Sequence, residues 1–126
     1  MKQFSEAFGR KLDSSGITRI QWIALYYIHQ NENISQRELA NRMCVKDSSV
    51  GRLIDRLERD GMVERLRSTS DRRVITLKLT DDGSKRFEKV LPLGVEFNNQ
   101  LVKNISEEDL ETFESVLKRM LQNIQE

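Results

Sequence analysis

Cysteine and histidine are almost absent from this sequence of 126 residues, which has one of each, Cys44 and His29. A single cysteine excludes an internal disulfide framework and favours a reducing, cytoplasmic compartment. Since no cysteine, histidine and aspartate residues stand together at the spacing of metal ligands, we expect no zinc site. We expect Cys44 to be a small buried apolar residue without a redox role, and His29 to cap the end of a helix.

Long apolar runs are also missing. None approaches the ~20 residues that a membrane-spanning helix requires, and residues 1–6 lack the apolar segment of a signal peptide. The sequence contains no Ser/His/Asp set, no glycine-rich phosphate loop and no paired carboxylates in an apolar frame. We therefore expect a protein that acts by binding, without a membrane span, without a cofactor and without catalysis.

The net charge of +1 conceals an uneven distribution of charge along the chain. Residues 42–73 carry nine lysines and arginines against six acidic residues, whereas residues 104–126 carry two against six. The basic part could face phosphates while the acidic C-terminal part stays away from nucleic acid. Taken alone, this bias could equally be a chance excess on a solvated surface.

Helical periodicity is the clearest feature that is present. Apolar residues three and four positions apart predict six helices, at about 2–12, 19–30, 36–43, 48–60, 80–103 and 107–124. Three of them start at capping-box patterns, which begin at Thr18, Ser35 and Ser106. Pro92 lies inside the fifth helix and predicts a kink or a break there. Gly61 suits the left-handed residue that ends the fourth.

The third and fourth predicted helices, joined by a short corner, form a helix-turn-helix. Ala40 is small and lies where the two helices would cross. The outward face of the fourth helix carries two short hydroxyls, Ser48 and Ser49, in the turn that reaches base edges in such motifs. Arg52, one turn on, could donate two hydrogen bonds to a guanine, whereas Arg56 is better placed for a phosphate.

A cationic hairpin follows the helix-turn-helix. Apolar alternation predicts strands at 62–67 and 74–79, and the turn between them ends in Arg72 and Arg73. An arginine inserted into a narrow minor groove responds to the width and the negative potential of the groove. We expect only one of the two arginines to enter the groove. Asp71 would repel phosphate, so we expect it to cap the turn or brace an arginine. The predicted DNA-contacting set is Arg37, Lys46, Ser48, Ser49, Arg52, Arg56, Asp71, Arg72 and Arg73.

These parts, in this order, resemble the MarR family of bacterial regulators. The resemblance spans about residues 17–86 and rests on Ser35-Gln36-Arg37-Glu38-Leu39-Ala40, on residues 48–65, on Asp71-Arg72-Arg73 and on Leu79-Thr80-Asp81-Asp82-Gly83. It implies a mainly α fold with a small β-hairpin wing (α+β), that is, a winged helix-turn-helix. It also implies a homodimeric repressor that binds double-stranded DNA at an inverted-repeat operator. Residues 48–60 would lie in the major groove and residues 68–73 in the minor groove.

The family pattern makes Arg73 the minor-groove arginine and Asp71 its bracing acid. Two positions depart from the pattern. Gly51 stands where threonine or serine is common, which destabilises the helix by about 1 kcal/mol. Lys46 stands where a capping serine is frequent, so we expect Asp47 to cap the helix instead. Both departures bear on which operator is recognised.

The terminal helices carry apolar stripes that one small domain would struggle to cover. By resemblance, residues 1–17 form an N-terminal dimerisation helix, 18–86 the DNA-binding domain and 87–126 the C-terminal dimerisation helices. A two-fold dimer would set two recognition helices about one turn of DNA apart. Packing of the stripes within one subunit is the alternative.

Many relatives in this family bind small phenolic or lipophilic anions, and aromatic residues here could line such a cleft. The candidate residues are Trp22, Tyr26, Tyr27, Phe87 and, as the counter-ion, Arg10 or Lys11. The same aromatic residues could simply belong to the core. A second interpretation of the whole chain is a winged-helix module that binds protein rather than DNA, which the basic outer face of the fourth helix disfavours.

Overall fold

Six helices and one two-stranded antiparallel sheet make up residues 2–125, which the computed structural model describes. Their order is α1 (Lys2–Leu12), α2 (Arg19–Gln30), α3 (Gln36–Met43), α4 (Asp47–Arg59), β1 (Val63–Arg67), β2 (Ile75–Leu79), α5 (Asp81–Leu101) and α6 (Glu107–Ile124). Met1 and Glu126, the ends of the predicted dimerisation segments, lie outside the described residues. The described chain divides into two compact units, one up to Val95 and one from Glu96.

The helices and strands lie where the sequence predicts them, with ends that differ by one or two residues. Local capping explains this agreement. At the start of α2, Thr18 Oγ1 accepts a hydrogen bond from Gln21 N at 3.2 Å, and Gln21 Oε1 accepts one from Thr18 N at 3.0 Å. Ser35 and Ser106 likewise accept from the main-chain N–H three residues on. Gly61, with φ +75°, is the predicted left-handed residue after α4.

Two predictions about helix ends are wrong. Lys46 is the N-cap residue of α4 and no side chain caps its first turn, so Asp47 begins the helix instead of capping it. An acidic residue at that position still interacts favourably with the helix dipole. At the end of α2, Asn31 rather than His29 is the cap, because its main-chain N–H and its Nδ2 both donate to Tyr27 O. The ring of His29 lies 5.5 Å from that of Phe87.

The prediction that Cys44 is buried is also wrong, because its side chain is exposed. Cys44 is the C-cap residue of α3 and has a left-handed backbone, with φ 57° and ψ 41°. Its N–H bonds the last carbonyls of α3, and Val45 N donates to Ala40 O at 3.1 Å. The residue therefore makes the corner of the helix-turn-helix, where a side chain meets solvent.

Helix α5 is one continuous helix through Pro92, so the predicted break does not occur. A proline removes one main-chain donor, and this helix tolerates that loss. Its start is fixed by Thr80, whose Oγ1 accepts from Gly83 N at 2.9 Å and donates to Gly61 O at 2.6 Å. These two bonds connect the start of α5 to the turn that follows α4.

Strands β1 and β2 pair from Val63 with Leu79 to Arg67 with Ile75. The chain ahead of α3 extends this hairpin. Leu77 N donates to the carbonyl of residue 34 at 2.9 Å, and residue 35 forms an isolated bridge to residue 76. The hairpin is therefore attached, through its second strand, to the start of the helix-turn-helix.

The core of the first unit lies between the helix-turn-helix, the hairpin, α2 and α5. Its fully buried large side chains include Leu25, Leu39, Ile54, Leu57, Leu77 and Phe87. Ala40 is buried, as expected of a residue at a helix crossing. Trp22 fixes α5 against α2, because its Nε1 donates to Val90 O at 3.0 Å and its ring fills the space that a Cβ on Gly94 would need.

Helix α6 belongs to the second unit, and none of its described residues is buried. Its large apolar side chains are 44% to 77% exposed: Phe113, Val116, Leu117, Met120, Leu121 and Ile124. At about 100° per residue they share one face of the helix. A continuous exposed apolar face of this kind marks an interaction surface. No helix between residues 2 and 125 is both long enough and apolar enough to cross a bilayer.

Candidate nucleic-acid interface

Helix α4 separates its apolar and polar side chains on two faces. The residues that it buries in the core are Val50, Leu53, Ile54 and Leu57. Ser48, Ser49, Arg52, Arg56 and Arg59 are all exposed. At about 100° per residue, these five fall within about 100° of each other on the side opposite the core. The structure therefore brings the predicted helix residues together on one accessible face, with the hydroxyls in the first turn.

The first turn of α4 is open. Ser49 N and Val50 N both donate to the carbonyl of Lys46, the residue before the helix. No side-chain hydrogen bond caps this turn, so the N–H groups at the start of the helix have no capping side chain. Lys46 itself is exposed, as is Arg37 on α3. Lys46 precedes the helix and Arg37 lines one cleft with Asp47, so both bring positive charge to the start of α4.

The tip of the hairpin, residues 68–73, is held by its own hydrogen bonds. Ser68 N donates to Val74 O and Val74 N to Asp71 O, each at 3.0 Å. Asp71 Oδ1 accepts from Arg73 N at 3.0 Å and from Arg73 Nε at 3.3 Å, the internal role expected of this acid. Arg67 Nη1 donates to Arg72 O at 2.9 Å. The aspartate thus orients Arg73 by both its main chain and its side chain.

Arg73 is the predicted minor-groove residue, and its side chain is 91% exposed. Ion pairing with Asp71 at this exposure contributes little to stability, because solvent screens it. The bond instead restricts the orientations of the guanidinium. Arg72 is exposed too.

A cleft of about 570 Å³ lies between the helix-turn-helix and the hairpin. Its lining residues are Ser35, Gln36, Arg37, Asp47, Asp71, Arg73, Val74 and Ile75. Arg37, Asp71 and Arg73 of the predicted set meet there, although Arg37 is more than thirty positions away from the other two in sequence. The hairpin tip thus lies beside the start of α3 and beside Asp47, the first residue of α4.

The residues predicted to bind a ligand pack largely on each other. The ring of Trp22 lies 5.3 Å from Tyr26, with which it stacks, and 5.8 Å from Phe87. Phe8, which was not predicted, contacts Trp22 edge-on at 5.2 Å. Phe87 is fully buried, whereas Tyr26 is exposed and Tyr27 half-buried. These aromatic residues therefore lie at the edge of the core, where Tyr26 is the ring accessible to solvent. Arg10 is exposed on α1.

Sequence reasoning missed Arg65, although its contacts join three elements. From β1, its Nε donates to Gln36 Oε1 on α3 at 3.0 Å. Its Nη1 donates to Asp55 Oδ1 at 2.7 Å and to Glu58 Oε1 at 3.1 Å, and its Nη2 donates to Gly51 O at 3.0 Å, all on α4. One signal was available in the sequence: strand alternation places Arg65 on the same side as Val63, which is buried, and an inward arginine needs partners.

Comparison with known proteins agrees with this geometry. Residues 17–75 match the model of the MarR family. Over 121 residues the chain is 30% identical to YdgJ, an uncharacterized HTH-type transcriptional regulator of Bacillus subtilis (strain 168), a match that covers 95% of this chain and 74% of YdgJ. The HTH-type transcriptional repressor MdtR of the same organism is 40% identical over 80 residues, which are 64% of this chain and 52% of MdtR. The chain thus spans about half the length of MdtR.

A solved structure extends the likeness to the fold. The crystal structure of a mutant MarR from E. coli complexed with operator DNA superposes with a TM-score of 0.82 at 30% identity, covering 95% of this chain and 86% of that one. The winged helix-turn-helix predicted from the sequence is thereby confirmed.

Proposed function

The chain belongs to the MarR family of transcriptional regulators, and on that premise we propose that it is a homodimeric repressor that binds an inverted-repeat operator in double-stranded DNA. The observation that carries this proposal is the exposed face of α4, with its serines and arginines, together with a hairpin tip whose Arg73 lines one cleft with Arg37 and Asp47 at the starts of α3 and α4. A regulator acts by binding, so membership of this family agrees with the prediction that the chain is not an enzyme.

In this proposal α4 is the recognition helix and lies in the major groove. Ser48 and Ser49 let the first turn come close to the base edges, because their side chains are short. Arg52, one turn on, is long enough to reach O6 and N7 of a guanine with two hydrogen bonds. Arg56, farther along, is placed for a phosphate, and Arg37 and Lys46 add positive charge around the open first turn.

The hairpin, which we call the wing, enters the adjacent minor groove with Arg73. This arginine is the better candidate of the two at the tip, because Asp71 already holds its guanidinium in place. Arg72 then faces the backbone of the duplex. An arginine in this groove responds to the width of the groove and its negative potential, so it adds affinity and a preference for A·T-rich sequence.

We propose that a second copy of the chain covers the apolar face of α6 and that α1 is a further dimerisation helix. Isologous two-fold contacts bury the same face on both copies, which is how an otherwise exposed stripe becomes a dimer interface. The two-fold axis then relates two recognition helices and makes the operator an inverted repeat. The proposed division of the chain is residues 18–86 for DNA and the two flanking segments for dimerisation.

Two further parts of the proposal concern regulation and place. A small aromatic or anionic ligand would relieve repression by binding beside Tyr26 and Trp22, with Arg10 as its counter-ion; the exposed ring of Tyr26 supports this. The cytoplasm is the proposed compartment, because the proposed partner is chromosomal DNA.

Fluorescence anisotropy tests the proposal directly. The protein is titrated into a labelled duplex from the promoter upstream of its own gene, at two salt concentrations and with or without salicylate. We expect saturable binding to an inverted repeat that weakens steeply with salt, since each neutralised phosphate contributes about −0.9 to the slope of log K against log salt. Binding that salicylate leaves unchanged would discard the phenolic ligand alone. Only weak binding, equal for an unrelated duplex, would contradict the DNA-binding function and favour a protein-interaction module.

A further inference from the structure

Arg65 differs from the surface ion pairs of this protein in its burial and in the number of its partners. Its side chain is only 23% exposed, compared with 91% for Arg73. Its guanidinium reaches Gln36 on α3 and three groups on α4 at once. A planar fork of fixed donors can satisfy several acceptors in one geometry, which a flexible ammonium group cannot do.

The three partners on α4 are spaced along one side of that helix. Gly51, Asp55 and Glu58 follow one another at intervals of four and three residues, so they lie in consecutive turns. Strand β1 therefore cannot tilt or slide along α4 without lengthening at least one of these hydrogen bonds. The second strand of the wing is held separately, through Leu77 and the chain ahead of α3.

Asp55 lies on the face of α4 that we assign to DNA. At about 100° per residue it is within about 60° of Ser48, Arg52 and Arg59 around the helix axis. A carboxylate among side chains that approach phosphates lowers affinity by charge repulsion. Its hydrogen bond to Arg65, at 2.7 Å, gives this acid a structural purpose at an electrostatically unfavourable position.

We propose that Arg65 is a positioning residue for DNA binding, which fixes the wing to the recognition helix through Asp55, Glu58 and the carbonyl of Gly51. This inference rests on the function proposed above. The recognition helix and the tip of the wing must enter neighbouring grooves of one duplex together. A fixed distance between them lowers the entropy lost on binding, because the two parts are ordered before DNA arrives.

Two substitutions with opposite electrostatic consequences test this role. Asp55→Asn removes a negative charge from the DNA-facing surface, and Arg65→Lys keeps the positive charge but loses the planar fork. If only charge mattered, the first variant would bind the operator more tightly and the second would bind it unchanged. If Arg65 positions the wing, both variants bind about tenfold more weakly, the affinity equivalent of one charge-assisted hydrogen bond.

The experiment measures operator binding by anisotropy for the full chain, the two variants and each variant combined with Arg73→Ala. We expect the loss caused by Arg73→Ala to shrink in the Arg65→Lys background, because a wing that is no longer fixed uses its tip poorly. The dependence of log K on log salt keeps its slope in Asp55→Asn, since no phosphate contact is lost. Lys89→Met, which removes an exposed charge on α5, is the matched control and leaves binding within about twofold.

The outcomes separate this inference from the proposed function. Tighter or unchanged binding by Asp55→Asn, with additive effects of Arg65→Lys and Arg73→Ala, overturns the positioning role while the protein remains a DNA-binding regulator. Failure of the unsubstituted protein to bind any duplex overturns both. Thermal melting identifies a variant that does not fold; if Arg65→Lys is one, Asp55→Asn decides alone, because that side chain is 65% exposed and is not part of the core.

Discussion

The two units of this molecule use their apolar side chains in opposite ways. Up to Val95, large apolar residues from four helices and two strands meet in one core, and many are fully buried. In α6 the apolar residues are as regularly spaced, yet none is buried. The same periodicity therefore has two meanings: in the first unit it encodes a core within one chain, and in α6 it encodes a surface.

This difference indicates that the two units have different roles. The elements assigned to DNA all belong to the unit that has its own core, where packing can hold Ser48, Arg52 and Arg73 in fixed places. The unit without a core is the one assigned to assembly. Stability, dimerisation and DNA binding should therefore respond to different substitutions, and four experiments test whether they do.

The largest effect is expected in the core. Leu57→Ala on α4 deletes a fully buried side chain and should lower the free energy of unfolding by about 2–5 kcal/mol, since the cavity that remains only partly collapses. Urea denaturation followed by circular dichroism measures it. Leu57→Met conserves volume and should cost less than about 1.5 kcal/mol. A loss well below about 2 kcal/mol for Leu57→Ala would mean that this site is not tightly packed.

A charge on the apolar face of α6 should act on assembly. Leu117→Asp places a carboxylate in the proposed interface on both copies, and we expect the dimer dissociation constant to rise at least about a hundredfold. Sedimentation equilibrium measures this constant. Gln122→Asp adds the same charge about 140° away around the helix and serves as the control. A dimer that survives Leu117→Asp but not Gln122→Asp would place the interface on the other face.

Arg73→Ala should separate DNA binding from dimerisation. We expect it to weaken operator binding by about 1–3 kcal/mol, because the minor-groove contact is lost, and to leave the dimer intact. Anisotropy and sedimentation on the same samples measure the two properties. Arg72→Ala is the matched variant and should cost less, since it removes only charge near the backbone. Equal losses of operator affinity for the two variants would mean that the tip contributes only positive charge and inserts no side chain into the groove.

The smallest effect is a gain of stability in the recognition helix. Gly51→Ala should raise the free energy of unfolding by about 0.5–1 kcal/mol, because alanine loses less backbone entropy in a helix. The added Cβ would lie 3.7 Å from Gln36 Nε2, an ordinary contact. Thermal melting compares it with Gly94→Ala, whose Cβ would overlap the ring of Trp22 and should destabilise the fold. Destabilisation by Gly51→Ala would show that α4 needs a glycine there.

The helices were predictable from sequence because their determinants are local. Thr18, Ser35 and Ser106 satisfy main-chain groups three residues away, and apolar spacing reports which face turns inward. The predictions were wrong where the backbone conformation determines whether a side chain is buried, or where a neighbouring residue caps the helix instead. Cys44 adopts a left-handed conformation at a corner, and Asn31 rather than His29 caps α2. Neither result follows from residue type alone.

The candidate site was predictable only in part. The exposed face of α4 follows from helical periodicity, and the two arginines at the tip follow from a turn between strands. The contacts of Arg65 do not, because its partners stand 7 to 29 positions away and depend on how the wing folds back. The assignments of individual residues to bases, phosphates or a ligand remain predictions.

Trp22 is the single tryptophan of the chain. Its indole donates to Val90 O, stacks on Tyr26 and lies against Gly94, so its surroundings depend on how closely α5 packs on α2. The protein consequently contains its own optical reporter. Its emission should shift to longer wavelength whenever those helices separate and water reaches the indole. The proposed ligand beside Tyr26, or a change of helix packing on DNA, could therefore be followed in real time without any attached dye.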